Sequence, residues 1–149
     1  METLMNEEFV VYANKVVKYL HDATIVARLA HWNCRGKDFF SAHQLFDRIY
    51  GDLAGEMDAV VEQLRACGFS PDFDNFSGPG ITMDFFDANS LVDLVTDFVM
   101  ALSGAIGMFY GFCEEHSKDP RLVAVGNQMQ ATSSVVLNDL YLLQAWAGF

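Results

Sequence analysis

Three breakers divide this chain into four stretches patterned for long α-helices, and that spacing restricts the fold more than any other feature of the sequence. The first stretch, from about Glu7 to Asn33, repeats Phe9, Ala13, Val16, Leu20, Ala23 and Ala27 at three- and four-residue steps, with Asn6 placed to cap it. Gly36 then interrupts. The second, from about Phe39 to Ala66, carries Leu45, Ile49, Leu53, Met57, Val60 and Leu64 on one stripe, with Asp38 as its expected cap and Cys67-Gly68 as its stop. Residues 69–88 change texture. Pro71, Ser77-Gly78-Pro79-Gly80 and several aspartates predict a connection long enough to cross from one end of a bundle to the other, with room for one short helix around Met83–Ala88. The third helix is expected from Ser90, with Ser90 and Asp93 as a capping pair, to about His116. Asp119-Pro120 starts the fourth, because proline suits a first helical turn, and that helix runs to about Trp146. Four such helices with one long middle connection predict an all-α four-helix bundle, a single domain over residues 1–149.

A length of 149 residues suits one domain, and with 52 % apolar and 13 % aromatic residues the chain can bury a substantial core. The last two helices are poor in charge, and no charged residue falls between Leu122 and Asn138, so a large oligomer interface is expected there. Gly104, Gly107 and Gly111 are expected to permit close helix packing. The apolar run Phe98–Cys113 is shorter than the ~20 residues a membrane span needs. A net charge of −11 repels DNA phosphates and anionic membranes and attracts cations. The three cysteines, Cys34, Cys67 and Cys113, are odd in number and widely spaced; they suggest neither a disulfide framework nor a zinc clip and fit a reducing cytoplasm. Met1–Glu8 has no apolar signal core, so export is not expected.

Five residues stand out for chemistry: His31, His43, Asp47, Asp58 and Glu62. His43 and Asp47 are four apart on the second helix, as are Asp58 and Glu62, so each pair shares a face; either pair alone is common on solvated helices. Asp47 and Asp58 are eleven apart. At about 100° per residue they point within roughly 20° of each other, yet lie about 16 Å apart along the axis. One chain cannot bring them to a common ion. An antiparallel two-fold copy can, if it crosses near residues 52–53, where Gly51, Ala54 and Gly55 let two helices approach closely. His43 and Asp47 of one copy then meet Asp58 and Glu62 of the other, at two symmetric sites per dimer. His31, at the end of the first helix, could reach over and complete a set of two imidazoles and three carboxylates. That donor set suits iron or manganese, with zinc left open.

The stretch His31-Trp32-Asn33, Gly36, Phe39, His43, Leu45-Phe46-Asp47, Asp58 and Glu62 resembles the Dps family, the mini-ferritins named as DNA-binding proteins from starved cells. The spacing His, eleven residues, His, three, Asp, ten, Asp, three, Glu is that family's ferroxidase pattern, and all five positions are intact; the resemblance is close over residues 31–64. It implies a ferritin-like bundle assembled into a cytoplasmic twelve-subunit hollow shell. It implies His31, His43 and Asp47 from one chain, and Asp58 and Glu62 from its two-fold mate, as metal-binding and catalytic residues for iron. The implied reaction is oxidation of ferrous iron by hydrogen peroxide or dioxygen, with ferric mineral stored inside. Trp32 matches a family tryptophan thought to absorb stray oxidising equivalents; a core aromatic at a helix end reads the same in sequence. Asp52 and Glu56 are accessory candidates for mineral nucleation, set against a plain solvated face.

The chain also departs from that family. Met1–Glu8 holds no Lys or Arg and Leu140–Phe149 holds no charge, and twelve copies at −11 each would carry about −132, so DNA binding is not expected. The family's acidic entry pores are doubtful here: the last helix offers Asp119 and no further acid until Asp139, with Glu114 and Glu115 just before it. The alternative is a structural or DNA-protecting shell of the same fold without ferroxidase activity, whose mark would be a broken ligand set. A di-iron site inside one bundle needs a Glu-x-x-His, and the sequence contains none. His21 and His116 are expected at the surface or an interface.

Overall fold

The computed structural model describes residues 6–149; the part of the Met1–Glu8 reading that rests on residues 1–5 lies outside them. Four helices follow in order: α1 (Glu7–Asn33), α2 (Phe39–Ala66), α3 (Ala88–Glu115) and α4 (Pro120–Ala147). Among the described residues no strand forms. The caps explain most boundaries. The Phe9 amide donates to Asn6 Oδ1 at 2.8 Å, and the Arg121 amide donates to Asp119 Oδ1 at 3.0 Å, so one orphan donor at each helix start is satisfied. At the end of α2, Gly68 adopts φ +89°, and the Gly68 and Phe69 amides turn back to the carbonyls of Arg65 and Leu64 at 2.9 and 3.0 Å. Asp38 occupies the cap position of α2, yet its side chain makes no capping bond.

Two local expectations are corrected. No short helix forms around Met83–Ala88, where Ala88 already opens α3; the connection instead holds a single 3-10 turn at Phe73–Asn75. Gly78 and Gly80 flank Pro79 with φ of +80° and +68°, a conformation that no helix accommodates. The third helix is capped by Asp87, whose Oδ2 accepts from the Ser90 amide at 3.0 Å, and not by Ser90 with Asp93.

The course of the long connection fixes the topology. The Arg35 amide, between α1 and α2, donates to the Phe86 carbonyl at 2.8 Å, and Arg35 and Asp87 form an isolated bridge. The start of α3 therefore sits at the same end of the bundle as the start of α2, and the connection must return the full length of the bundle. A helix of this length spans about 42 Å, well within the reach of twenty extended residues. The connection is tied to α1 on the way: the Asp72 amide donates to Asn14 Oδ1 at 2.8 Å, Lys18 Nζ reaches the Gly78 carbonyl at 3.4 Å, and Phe76 packs on His21 with ring centroids 5.4 Å apart. At the other end, Trp146 Nε1 donates to Ser41 Oγ at 3.0 Å, placing the end of α4 beside the start of α2. Around the bundle the order is α1, α2, α4, α3, with α2 and α3 on a diagonal, so every neighbouring pair runs antiparallel.

Phe9, Leu20, Phe46, Leu53, Leu102 and Phe109 are fully buried at the centre. Each contributes about 1.5–3 kcal/mol over leaving it in water. By length and composition α3 could cross a membrane, but Leu91, Val95, Val99, Leu102, Ile106 and Phe109 on its inner face are buried within the bundle. Its outer face carries exposed Met100 and Met108, and nothing lies within 4 Å of where a side chain on Gly104, Gly107 or Gly111 would stand. Among the described residues, then, no neighbouring element packs closely over these glycines.

Candidate metal centre

The turn through Gly36 (φ +105°) folds α2 back against α1 and brings His31 to His43. The two rings stack with centroids 3.8 Å apart and planes 15° from parallel. Each is fixed by the other's backbone: His31 Nδ1 lies 2.9 Å from the His43 carbonyl, and His43 Nδ1 lies 2.8 Å from the His31 carbonyl. A carbonyl only accepts, so Nδ1 carries the hydrogen in both rings. Nε2 is then the nitrogen with a free lone pair, the tautomer a metal-binding histidine requires. Phe39 stacks on His43 at 4.7 Å, and Tyr50 meets His31 edge-on at 5.5 Å, so the imidazole pair is braced on both sides.

Asp47 follows His43 by one turn and is exposed, as are Asp58 and Glu62 further along α2. Among the described residues none of these three carboxylates is held in an ion pair or hydrogen bond. Between them the same face presents Gly51 and Gly55, both exposed, with open space where their side chains would be. The outer stripe of α2 is therefore His43, Asp47, Gly51, Gly55, Asp58 and Glu62: ligand types at both ends and no side chain in the middle. No three histidine, cysteine or acidic side chains of the described chain converge on one point. The fold brings His31 and His43 together and keeps Asp58 and Glu62 apart from them.

Trp32 is 64 % exposed, so it is not a core aromatic. Arg28 lies over both Trp32 and Tyr50, with its guanidinium carbon 5.9 and 5.1 Å from the ring centroids. Asp52 is half-buried and pairs with Arg48 at 3.6 Å, and Glu56 lies one turn further on. Asp119 is engaged by its neighbour: Arg121 donates to it through Nε at 3.1 Å and through Nη2 at 2.8 Å, which holds its carboxyl down at about 2. Glu114 interacts with the Tyr110 hydroxyl and raises its pKa. His116 donates from Nδ1 to the Phe112 carbonyl at 2.9 Å and stacks on that ring, a closing contact for α3. All three cysteines are buried free thiols; burial, then the charge of Asp38, raises Cys34, and burial pushes Cys113 up to about 12.

One residue escaped the sequence reading. Asp139 is fully buried; its carboxyl meets that of Asp52 on α2, and among the described residues no N–H group donates to it. Burial first, and the neighbouring Asp52 second, push its pKa up to about 8. The signal was present in the register: Asp139 continues the buried series Val125, Met129, Thr132 and Val136 and precedes Leu143.

Residues 12–123 match the ferritin-like domain family, which is most of the chain. A stretch of 71 residues is 34 % identical to the DNA protection during starvation protein of Listeria innocua, covering 48 % of this chain and 46 % of that protein. General stress protein 20U of Bacillus subtilis is 31 % identical over 67 residues, covering 45 % and 46 %. The chain thus matches just under half the length of these curated relatives. In solved structures the fold is similar to Dps from Listeria innocua, with a TM-score of 0.79 at 20 % identity over 92 % of this chain and 94 % of that one. It is also similar to Dps from Staphylococcus aureus, with a TM-score of 0.78 at 18 % identity over 97 % and 98 %.

Proposed function

Since this chain belongs to the ferritin-like family, and within it to the Dps proteins, we propose that it is a ferroxidase and iron store whose reaction site forms between two copies of the chain. The observation that carries this reading is the outer stripe of α2. His43 and Asp47 at one end, Asp58 and Glu62 at the other, and bare glycine between them make a face complementary to itself turned over. An isologous pair of such helices crossing near residues 52–53 joins His31, His43 and Asp47 of one copy to Asp58 and Glu62 of the other. Each site then offers two imidazole nitrogens and three carboxylates, which together offset most of the charge of two ferrous ions.

Ferrous iron is the substrate. Hydrogen peroxide needs two electrons to become water, and each ferrous ion gives one: two Fe(II), one H2O2 and two protons yield two Fe(III) and two waters. Two ions held side by side deliver both electrons without releasing a hydroxyl radical. The protein's part is positioning and charge. The reciprocal His31–His43 bonds hold both Nε2 atoms ready, and the exposed carboxylates neutralise the ions as they arrive. Dioxygen is the alternative oxidant at the same site. We further infer a homo-oligomeric shell, with twelve copies as the expected number, in the cytoplasm. The acidity of the chain argues against DNA as a partner.

The direct test adds ferrous iron to metal-free protein under anaerobic conditions, then peroxide, and follows ferric absorbance with a hydroxyl-radical probe. Fast oxidation with little radical, lost in Asp58→Ala, is expected. Oxidation no faster than in buffer would leave a shell without ferroxidase chemistry. The shared geometry has its own test: His43→Ala chains reassembled with Asp58→Ala chains should regain part of the activity, because one site of each mixed dimer keeps all its ligands. Mixtures that stay inactive would show that the site is not shared in this way.

A further inference from the structure

The imidazole pair has neighbours whose chemistry the two-iron reaction does not use. Arg28, His31 and Trp32 lie three and four residues apart near the end of α1 and so share a face. Tyr50 of α2 meets His31 edge-on, with ring centroids 5.5 Å apart. One guanidinium serves both oxidisable rings: the Arg28 guanidinium carbon stands 5.1 Å from the Tyr50 centroid and 5.9 Å from that of Trp32. Both distances fall within the range at which a cation is attracted to a ring face. The chain has 20 acidic residues against 9 basic ones. Yet among the described residues Arg28 forms no ion pair; the pairs that do form belong to Lys18, His21, Arg48 and Arg121. Its charge meets the two rings and no carboxylate.

Tyrosine and tryptophan give up an electron readily, so beside a centre that oxidises iron with peroxide they compete as donors. Peroxide needs two electrons. A site holding a single ferrous ion supplies one, and a ring can supply the other. One Fe(II), one H2O2, one tyrosine hydroxyl and one proton yield one Fe(III), one tyrosyl radical and two waters. The O–O bond breaks, iron and ring are oxidised, and the phenol proton leaves for water. For tryptophan the indole N–H proton leaves in the same way. This side reaction balances as well as the two-iron reaction, and it consumes the protein. Charge opposes it. A neutral ring attracts the guanidinium through its π electrons; a ring that has lost an electron carries positive charge, and attraction turns to repulsion.

We propose that Arg28 is a positioning residue that withholds the electrons of Tyr50 and Trp32 from the reaction site, so that both electrons for peroxide come from iron. Its purpose rests on the ferroxidase reading; the effect of its charge on the two rings does not. Trp32, 64 % exposed, is on this view a guarded ring and not a sink for stray oxidising equivalents.

The test separates the charge effect from the iron chemistry. Metal-free assembled protein is illuminated with lumiflavin, an uncharged photo-oxidant that removes one electron at a time, and the loss of each ring is followed by mass spectrometry. Trp146, the chain's other tryptophan, is the internal reference. In Arg28→Gln the loss of Trp32 relative to Trp146 should rise roughly two- to five-fold over the parent, the factor to which an exposed cation–π contact corresponds. Tyr50 should follow it. Arg28→Lys keeps the charge and should stay near the parent. A second arm supplies one ferrous ion per site and then peroxide. The parent should oxidise close to two Fe(II) per peroxide consumed. In Arg28→Gln the ratio should fall toward one, with a tyrosyl or tryptophanyl radical visible by electron paramagnetic resonance. An unchanged loss of Trp32 relative to Trp146 in Arg28→Gln overturns the proposal. So does an Arg28→Lys protein that loses Trp32 as fast as Arg28→Gln, because packing and not charge would then be the cause. Fast iron oxidation at the same iron-to-peroxide ratio in parent and Arg28→Gln also overturns it. If illumination separates the proteins as expected and neither oxidises iron faster than buffer, the ferroxidase reading fails and the guarding of the rings stands.

Discussion

Two polar rows run along α2, about 100° apart around its axis, and they meet opposite demands. The outer row (His43, Asp47, Gly51, Gly55, Asp58, Glu62) is open, and none of its carboxylates has a partner within the described chain. The inner row (Arg48, Asp52, Glu56) faces Asp139 of α4, which is buried, meets the Asp52 carboxyl and, among the described residues, receives no N–H donor. An unpaired acid at the surface is solvated and costs the fold nothing. An unpaired acid in the core costs the fold until it is protonated or neutralised. On the proposed reading the outer row bears on assembly and reaction, with little weight in chain stability, while the inner row bears first on stability. Variants in the two rows should separate these effects.

The largest effect belongs to the outer row. Asp58→Ala should lower peroxide-driven iron oxidation by at least 10–100-fold, the scale on which even supporting residues of metal sites act. The thermal midpoint of the metal-free protein should stay put, because the side chain is exposed. A midpoint that drops along with the rate would mean that Asp58 is structural. His43→Ala should cost the same rate and stability as well. It removes the ring braced by Phe39 and the hydrogen bond from His43 Nδ1 to the His31 carbonyl, about 1 kcal/mol, while the bond from His31 Nδ1 to the backbone carbonyl at position 43 survives. For a domain of this size that is a drop of a few degrees. The contrast between these variants distinguishes the histidine pair that the chain builds alone from the carboxylates that, on the proposed reading, await a second copy.

Between the two halves, Gly55→Leu should act on assembly alone. Among the described residues nothing beyond the adjoining stretch of α2 lies within 4 Å of where a Cβ at position 55 would stand, and leucine favours helix over glycine by up to about 1 kcal/mol. The isolated chain should fold at least as well. Two helices crossing at this point could no longer approach, so light scattering should report species smaller than the parent assembly. An unchanged mass with unchanged oxidation would move the two-fold contact elsewhere.

The sequence carried the four helices to within about two residues at most ends, because their apolar periodicity and breakers agree; Asn6 and Asp119-Pro120 cap as their residue types predict. It carried the positions of His43, Asp47, Asp58 and Glu62 along one face, since a helix converts spacing into direction. The middle connection was less legible. Met83–Ala88 has helix-tolerant residues, but its path is set by contacts of the connection with Asn14, Lys18, His21 and Arg35, all distant in sequence. The reciprocal locking of His31 and His43 depends on how the Gly36 turn places two carbonyls, which no residue type announces. The exposure of Trp32 is of the same kind. Asp139 was hidden for another reason: its charge marked the end of an uncharged run, and charge outweighed the core register it occupies.

The inner row's effect vanishes at low pH and is read by its sign. Asp139 titrates near 3.9 in an unfolded chain and at about 8 in the folded one. Between those values the native state keeps a proton that the unfolded chain releases, so this group's contribution to stability falls as pH rises from about 4 and levels off above about 8. Asp139→Asn removes the titration and keeps the shape. In metal-free protein the variant should match the parent near pH 4 and exceed it near pH 8, by on the order of a few kcal/mol at most. Denaturant unfolding at the two pH values measures the difference. Asp119, which caps the same helix, should do the reverse. Its donors from Arg121 hold it at about 2, so its contribution is present above the unfolded value near 3.8 and is lost only as pH falls through about 2. The acid that caps α4 and the acid buried within it thus give opposite slopes, because Arg121 hands the first three donors and the second is buried against another carboxyl. An Asp139→Asn protein whose stability tracks the parent across the whole range would show that the inner row is hydrated, and the contrast between the two rows of α2 would collapse.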